Sequence, residues 1–193
     1  MLAVACGSGA RDGFDVIDGR QDAVSYAIEA TVPELLANPS TYDATIVEGV
    51  IVQIDDGVGM LWTLDEYGEE EREILAFDDV DSMVRSVHVT MTIRNVIAGA
   101  PADRSTLRFG LGIDDEGDAQ ALRDGFIGQS FIAFLNESAV FDYESGMHGV
   151  AFDGGLLCRR DDDHALDCPA LDDSLMEALD IGSVTVQDLE PSD

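Results

Sequence analysis

The chain has 193 residues, 46% of them hydrophobic, which is room for one domain with a real core. Forty acidic residues stand against ten basic ones, for a formal charge of -30, and every basic residue is an arginine. Such a surface repels phosphate backbones and anionic headgroups, because nucleic-acid binding is driven by counterion release onto clustered cations; no nucleic-acid partner is expected. The acidity by itself reads as a solvated surface and not as a site.

Met1 to Gly7 reads Met-Leu-Ala-Val-Ala-Cys-Gly, followed by Ser8, Gly9 and Ala10. This resembles the end of a bacterial lipoprotein signal peptide, in which small residues precede a cysteine that is lipidated on sulfur, cleavage falls just before it and a Gly/Ser tether follows. Ala3, Val4, Ala5 and Cys6 match those places. The resemblance implies lipidation of Cys6 and a protein anchored at the cell membrane on its extracytoplasmic face. A secretory signal needs a charged region and an apolar stretch of about 7 to 15 residues, and only Met1 to Ala5 precede the cysteine. The reading therefore expects a start upstream of Met1; the alternative is a cytoplasmic protein whose Cys6 is an incidental thiol. Residues 1–20 are assigned as lipobox remnant and flexible tether, 21–190 as a single domain and 191–193 as a polar tail.

Within the domain, Ala23, Val24, Ala27, Ile28 and Ala30 predict an amphipathic helix capped by Asp22, with a strand as the alternative. Pro33 to Ala37 predicts one or two helical turns closed by Asn38 and Pro39. Thr45 to Ile54 is apolar on both parities, as in a strand covered on both sides, and its Gly49 predicts a bulge or bend. Asp55 to Gly59 reads as a turn, Met60 to Leu64 and Ile74 to Phe77 as a hairpin around an acidic loop.

Ser86 to Ile97 is the organising stretch: Val87, Val89, Met91 and Ile93 alternate with Ser86, His88, Thr90, Thr92 and Arg94, the period of a half-buried strand. Thr106 to Ile113 repeats the rhythm and predicts a second hairpin. Ala119 to Phe126 reads as a short helix and Ser130 to Leu135 as a dense apolar strand. Ala139 to Tyr143, Gly149 to Phe152 and Leu156 to Arg159 are shorter strand-like pieces. Ser174 to Leu179 predicts a helix capped by Asp172 and Asp173, and Ser183 to Leu189 a last strand with Val184 and Val186 on one face.

A Val-rich strand with an internal glycine (Val47, Gly49, Val50, Val52), a long strand ending at a glycine turn (Val87 to Gly99), an alternating strand, and Gly128, Phe131, Phe134 and Leu135 together resemble secreted actinobacterial-type domains of unknown function. The resemblance implies a mainly β fold: a small closed or partly open antiparallel barrel of the oligonucleotide/oligosaccharide-binding type, OB-like, with short helices at its start and end. A β-sandwich is the alternative. On so acidic a chain the binding face of such a barrel suits a protein or glycan partner, or a structural role, better than nucleic acid.

With Cys6 assigned to lipid, Cys158 and Cys168 remain, the count for an exported domain with one disulfide. The alternative is a zinc site made from Cys158, His164, Cys168 and Asp163 or Asp161, which matches no standard spacing. Asp114, Asp115, Glu116 and Asp118, and likewise Asp161 to Asp163, gather oxygen ligands suited to calcium without the spacing of a helix-loop-helix site, and read as solvated loops. His88 and His148 are dispersed. There is no Gly-x-Ser-x-Gly, His-Glu-x-x-His or phosphate loop, and Asp115 replaces the third glycine of the pattern opened by Gly110 and Gly112. The sequence thus predicts an exported, lipid-anchored binding or interaction module of unidentified ligand, without a catalytic signature or cofactor. The alternative is a metal-dependent zinc enzyme or a zinc-stabilised cytoplasmic module.

Overall fold

The computed structural model describes residues 30–42, 44–64, 70–101, 105–113, 116–136, 149–150, 156–160, 166–168 and 173–191. Its strands are β1 (Ala44–Leu64), β2 (Glu70–Leu75), β3 (Val84–Ala98), β4 (Thr106–Ile113), β5 (Ser130–Asn136), β6 (Gly149–Val150) and β7 (Leu156–Cys158). Three helices accompany them: α1 (Val32–Ala37), α2 (Glu116–Phe126) and α3 (Asp173–Ala178). All seven strands belong to one antiparallel sheet, ordered β4-β3-β1-β5-β6, with β2 added to β1 and β7 to β5. The sheet is curled but not closed, and its end strands β4 and β6 approach each other. A mainly β, partly open antiparallel barrel with short helices at its start and end is therefore what this sequence builds.

The shape follows from β1. Its 21 residues would reach about 70 Å if straight, far longer than a domain whose radius of gyration is about 16 Å. The strand bends instead, through register shifts against β3 between Ile46 and Val47, Glu48 and Gly49, Ile51 and Gln53, and Asp56 and Gly59. Its first half pairs β5 on one side and β3 on the other, and its last residues pair β2. Gly49 sits at one of these shifts: a Cβ there would lie 2.4 Å from the Thr92 carbonyl oxygen, so the bend is possible only without a side chain.

The turn expected at Asp55 to Gly59 does not exist. β1 continues through it, with Asp55 opposite His88 and Gly59 opposite Arg85. Ser86 explains how: its fully buried hydroxyl accepts from Val58 N at 3.1 Å and donates to Val58 O at 3.3 Å, replacing the backbone pairing lost at the bulge. A Cβ on Gly57 would stand 2.6 Å from that hydroxyl. The glycines and aspartates that signal a turn here serve a bulge.

Both predicted hairpins form, β1–β2 with Met60 opposite Ile74 and β3–β4 with Val89 opposite Phe109. The alternation of β3 is realised, with Val87, Val89 and Met91 fully buried. These side chains meet Phe109, Leu111 and Ile113 of β4 and Phe131, Phe134 and Leu135 of β5 in one core. α2 lies against β1 and β4 and buries Ala119, Leu122 and Phe126, a single helical stripe. Gly128 ends it in the left-handed region at φ 86°, and its N–H donates to Ile51 O at 2.8 Å, which launches β5 beside β1.

The predicted last strand, Ser183 to Leu189, is instead two 3-10 turns, Ile181–Ser183 and Val186–Leu189. Thr185 decides this. Its N–H and hydroxyl both donate to Asp188 Oδ2, at 2.8 and 2.6 Å, holding that carboxyl below the usual range and competing with extended structure. Val184 is buried while Val186 is exposed, so the two do not share a face. The segment closes the core with Ile181, Val184 and Leu189, and Leu179 O accepts from Val32 N of α1 at 2.9 Å. The helix expected at 22–29 and the strand at 139–143 lie outside the described residues.

Candidate functional site

The candidate site is built where β1, β5 and β7 meet. β7 pairs β5 with Cys158 opposite Ile132, and both residues are fully buried. Beyond it, Arg159 and Asp167 exchange two backbone hydrogen bonds of 2.6 and 2.9 Å. The sulfurs of Cys158 and Cys168 stand 2.04 Å apart, at disulfide distance. This link and the Arg159–Asp167 bridge hold the chain where Arg159 and Arg160 leave the sheet.

Both arginines line a cavity of about 180 Å³, together with Glu48, Gln129, Ser130, Phe131 and Ile132. Arg160 grips Glu48 with two nitrogens, Nε to Oε1 at 3.4 Å and Nη2 to Oε2 at 3.3 Å, and Nη2 also donates to Leu189 O at 3.3 Å. Asn95 Nδ2 donates to Glu48 Oε2 at 2.9 Å. Burial pushes the Glu48 carboxyl up, but hydrogen bonds from Asn95 and Arg160 and the charges of Arg160 and Arg94 outweigh it, so the carboxyl titrates below the usual range. Arg94 Nη1 donates to Ser130 Oγ at 3.2 Å, on the rim of the same cavity. The Arg159 guanidinium carbon lies 5.7 Å from the centre of the Phe131 ring, within cation–π range.

Arg160 and Arg94 thus act on one carboxylate while Arg159 lines the same cavity, in a chain with only ten basic residues against forty acidic ones. Elsewhere, Arg85 donates to the carbonyls of Phe77, Ser82 and Asp79, and Arg123 to Ile54 O and Asp56. Guanidinium forks match carboxylates in planarity and spacing, and the arrangement uses that match internally, on Glu48.

Sequence reasoning places Arg94 on the solvent parity of its strand and Arg159 at the end of a strand-like piece, and gives neither Arg159 nor Arg160 a role in a site. The available signal was scarcity: in a lysine-free acidic chain, two adjacent arginines beside a cysteine are conspicuous. Of the residues named from sequence, Cys158 and Cys168 come together. With their sulfurs joined they offer no thiolate to zinc. Cys6, His148, Asp161, Asp163, His164, Asp114 and Asp115 lie outside the described residues. Asp118 lies in the first turns of α2, and His88 is half-buried in β3 opposite Asp55. Among the described residues no group of three or more His, Cys, Asp or Glu is placed to hold a metal ion, and no helix is long and apolar enough to cross a membrane.

No known protein family, curated protein or solved structure matches this chain. The function must be argued from the geometry.

Proposed function

We propose that this chain is a binding module that works outside the cytoplasm, tethered to a membrane by lipid on Cys6, and that its ligand enters the cavity between Glu48, Ser130 and Arg160. The observation that carries the reading is the Cys158–Cys168 pair at bonding distance, directly behind the two arginines. Disulfides persist in oxidising compartments and are reduced in the cytosol, so a site that depends on one belongs outside. The partner is a protein or a glycan; the overall charge of -30 disfavours nucleic acid.

The test is the intact mass of the protein recovered from the envelope fraction of its own host, alkylated without reduction and analysed for metal. The expected result is Cys158 and Cys168 unmodified and Cys6 carrying a lipid mass. Recovery from the cytosol with three alkylated cysteines overturns the proposal.

A further inference from the structure

We infer that the outer edge of β2 receives a partner strand: an extended segment of another protein in which basic and apolar residues alternate. This edge shares no residue with the cavity, and the inference goes beyond the reading given to that site. Among the described residues β2 pairs only with β1. Its other side therefore offers a row of backbone N–H and C=O groups on which a further strand can be added.

Packing across the sheet says what that strand would bring. Val84 of β3, Met60 of β1 and Ile74 of β2 stand side by side on one face, because Met60 is opposite both of the others. Their exposures are 9%, 2% and 62%. The apolar row is covered at its first two members and open at its last, and an added strand would continue it with an apolar side chain beside Ile74. On the other face Glu71 and Glu73 stand opposite Thr63 and Leu61, and both glutamates are exposed. Side chains alternate between faces along a strand, so a segment that is apolar beside Ile74 would be basic beside these two.

The charges also choose between occupants. A second copy of the chain would bring the same net charge of -30 and its own glutamates to the edge, and like charges across a strand pair repel. A basic segment meets no such repulsion. The edge is also held ready: Arg85 fixes the chain leaving β2 by donating to the carbonyls of Phe77, Asp79 and Ser82 at 2.8, 2.9 and 3.3 Å. Docking would then order few new groups.

The experiment is an amide-resolved NMR titration of the whole chain at about 150 mM salt, where its general charge is screened beyond about 8 Å. Three acetylated, amidated heptapeptides serve as probes: lysine and valine alternating with lysine at both ends, the same composition with its valines in one central block, and the alternating peptide with glutamate for lysine. The alternating lysine peptide is expected to shift amides at 70–75 and slow their exchange. The block peptide should bind about threefold to tenfold more weakly, the scale of two misplaced cross-strand pairs, and the glutamate peptide should be silent. Glu71→Gln with Glu73→Gln should weaken the alternating peptide by about threefold to tenfold, and Ile74→Thr by about threefold. Equal affinity for the alternating and block peptides, shifts centred away from 70–75, indifference to the glutamate and isoleucine changes, self-association through 70–75 without peptide, or no shift at millimolar peptide overturns the assignment. None of these outcomes bears on cysteine state or lipid mass, so the export reading stands or falls separately.

Discussion

The β1–β3–β4 half of the barrel and the corner made by β5, β7 and the C-terminal turns are held together by different physics. In the first, alternating side chains such as Val87, Val89, Met91, Phe109 and Leu111 bury against one another. In the second, β5 also buries apolar side chains, but β7 and the chain after it are further fixed by a sulfur–sulfur link, a two-residue bridge, one arginine on a carbonyl and one ion pair. The contrast teaches where a binding site fits in a small domain: on the part that tolerates polar side chains because its position is secured without them.

The largest effect that would break the comparison is in the core. Phe109→Ala removes a fully buried ring and should cost about 3 to 5 kcal/mol, read as a lower denaturation midpoint; a loss under about 1 kcal/mol would deny that this half carries the fold. Replacing both cysteines, Cys158→Ser with Cys168→Ser, should cost about 2 to 3 kcal/mol by the loop-closure estimate. Here hydrogen exchange should quicken mainly at 156–160 and leave β3 and β4 protected; uniform acceleration would merge the two regions into one. The smallest effect concerns Glu48. Its carboxyl titrates low when folded, so its stabilisation is complete above the ordinary glutamate range and is lost as pH falls through the depressed value. The pair is partly exposed, so the contribution should not exceed about 1 kcal/mol. Acidification also relieves the self-repulsion of so many carboxylates. The measurement is therefore the difference in stability between the parent chain and Glu48→Gln, which should shrink toward zero on acidification; a constant difference would remove the ion pair from the account.

The two halves were also unequally legible in the sequence. Side-chain alternation is a local signal with a period of two, and it located β3 and β4 because those strands bury one face, whereas the start of β1 was legible as a run apolar on both parities. It failed where something other than burial sets the backbone. At Asp55 to Gly59 the deciding partner is Ser86, remote in sequence, whose hydroxyl sustains a bulge that looks like a turn. At Ser183 to Leu189 an Asp188 carboxylate held by Thr185 outweighs the strand pattern. The cavity was illegible for the same reason: Glu48, Arg94 and Arg160 are far apart along the chain, and only the register of β1 with β3 and β5 brings them together.

That register has a consequence for how the chain acquires its shape. Ala44, at the start of β1, pairs with Asn136, and Ile46 pairs with Phe134, while Ile51 pairs with Met91. The opening strand therefore cannot be completed until β5 exists. Pairings between such distant segments incur loop-closure entropy before they return any contact energy, which places the domain among slow folders, on the millisecond-to-second scale. A ribosome-bound chain would carry an unfinished sheet for most of its synthesis.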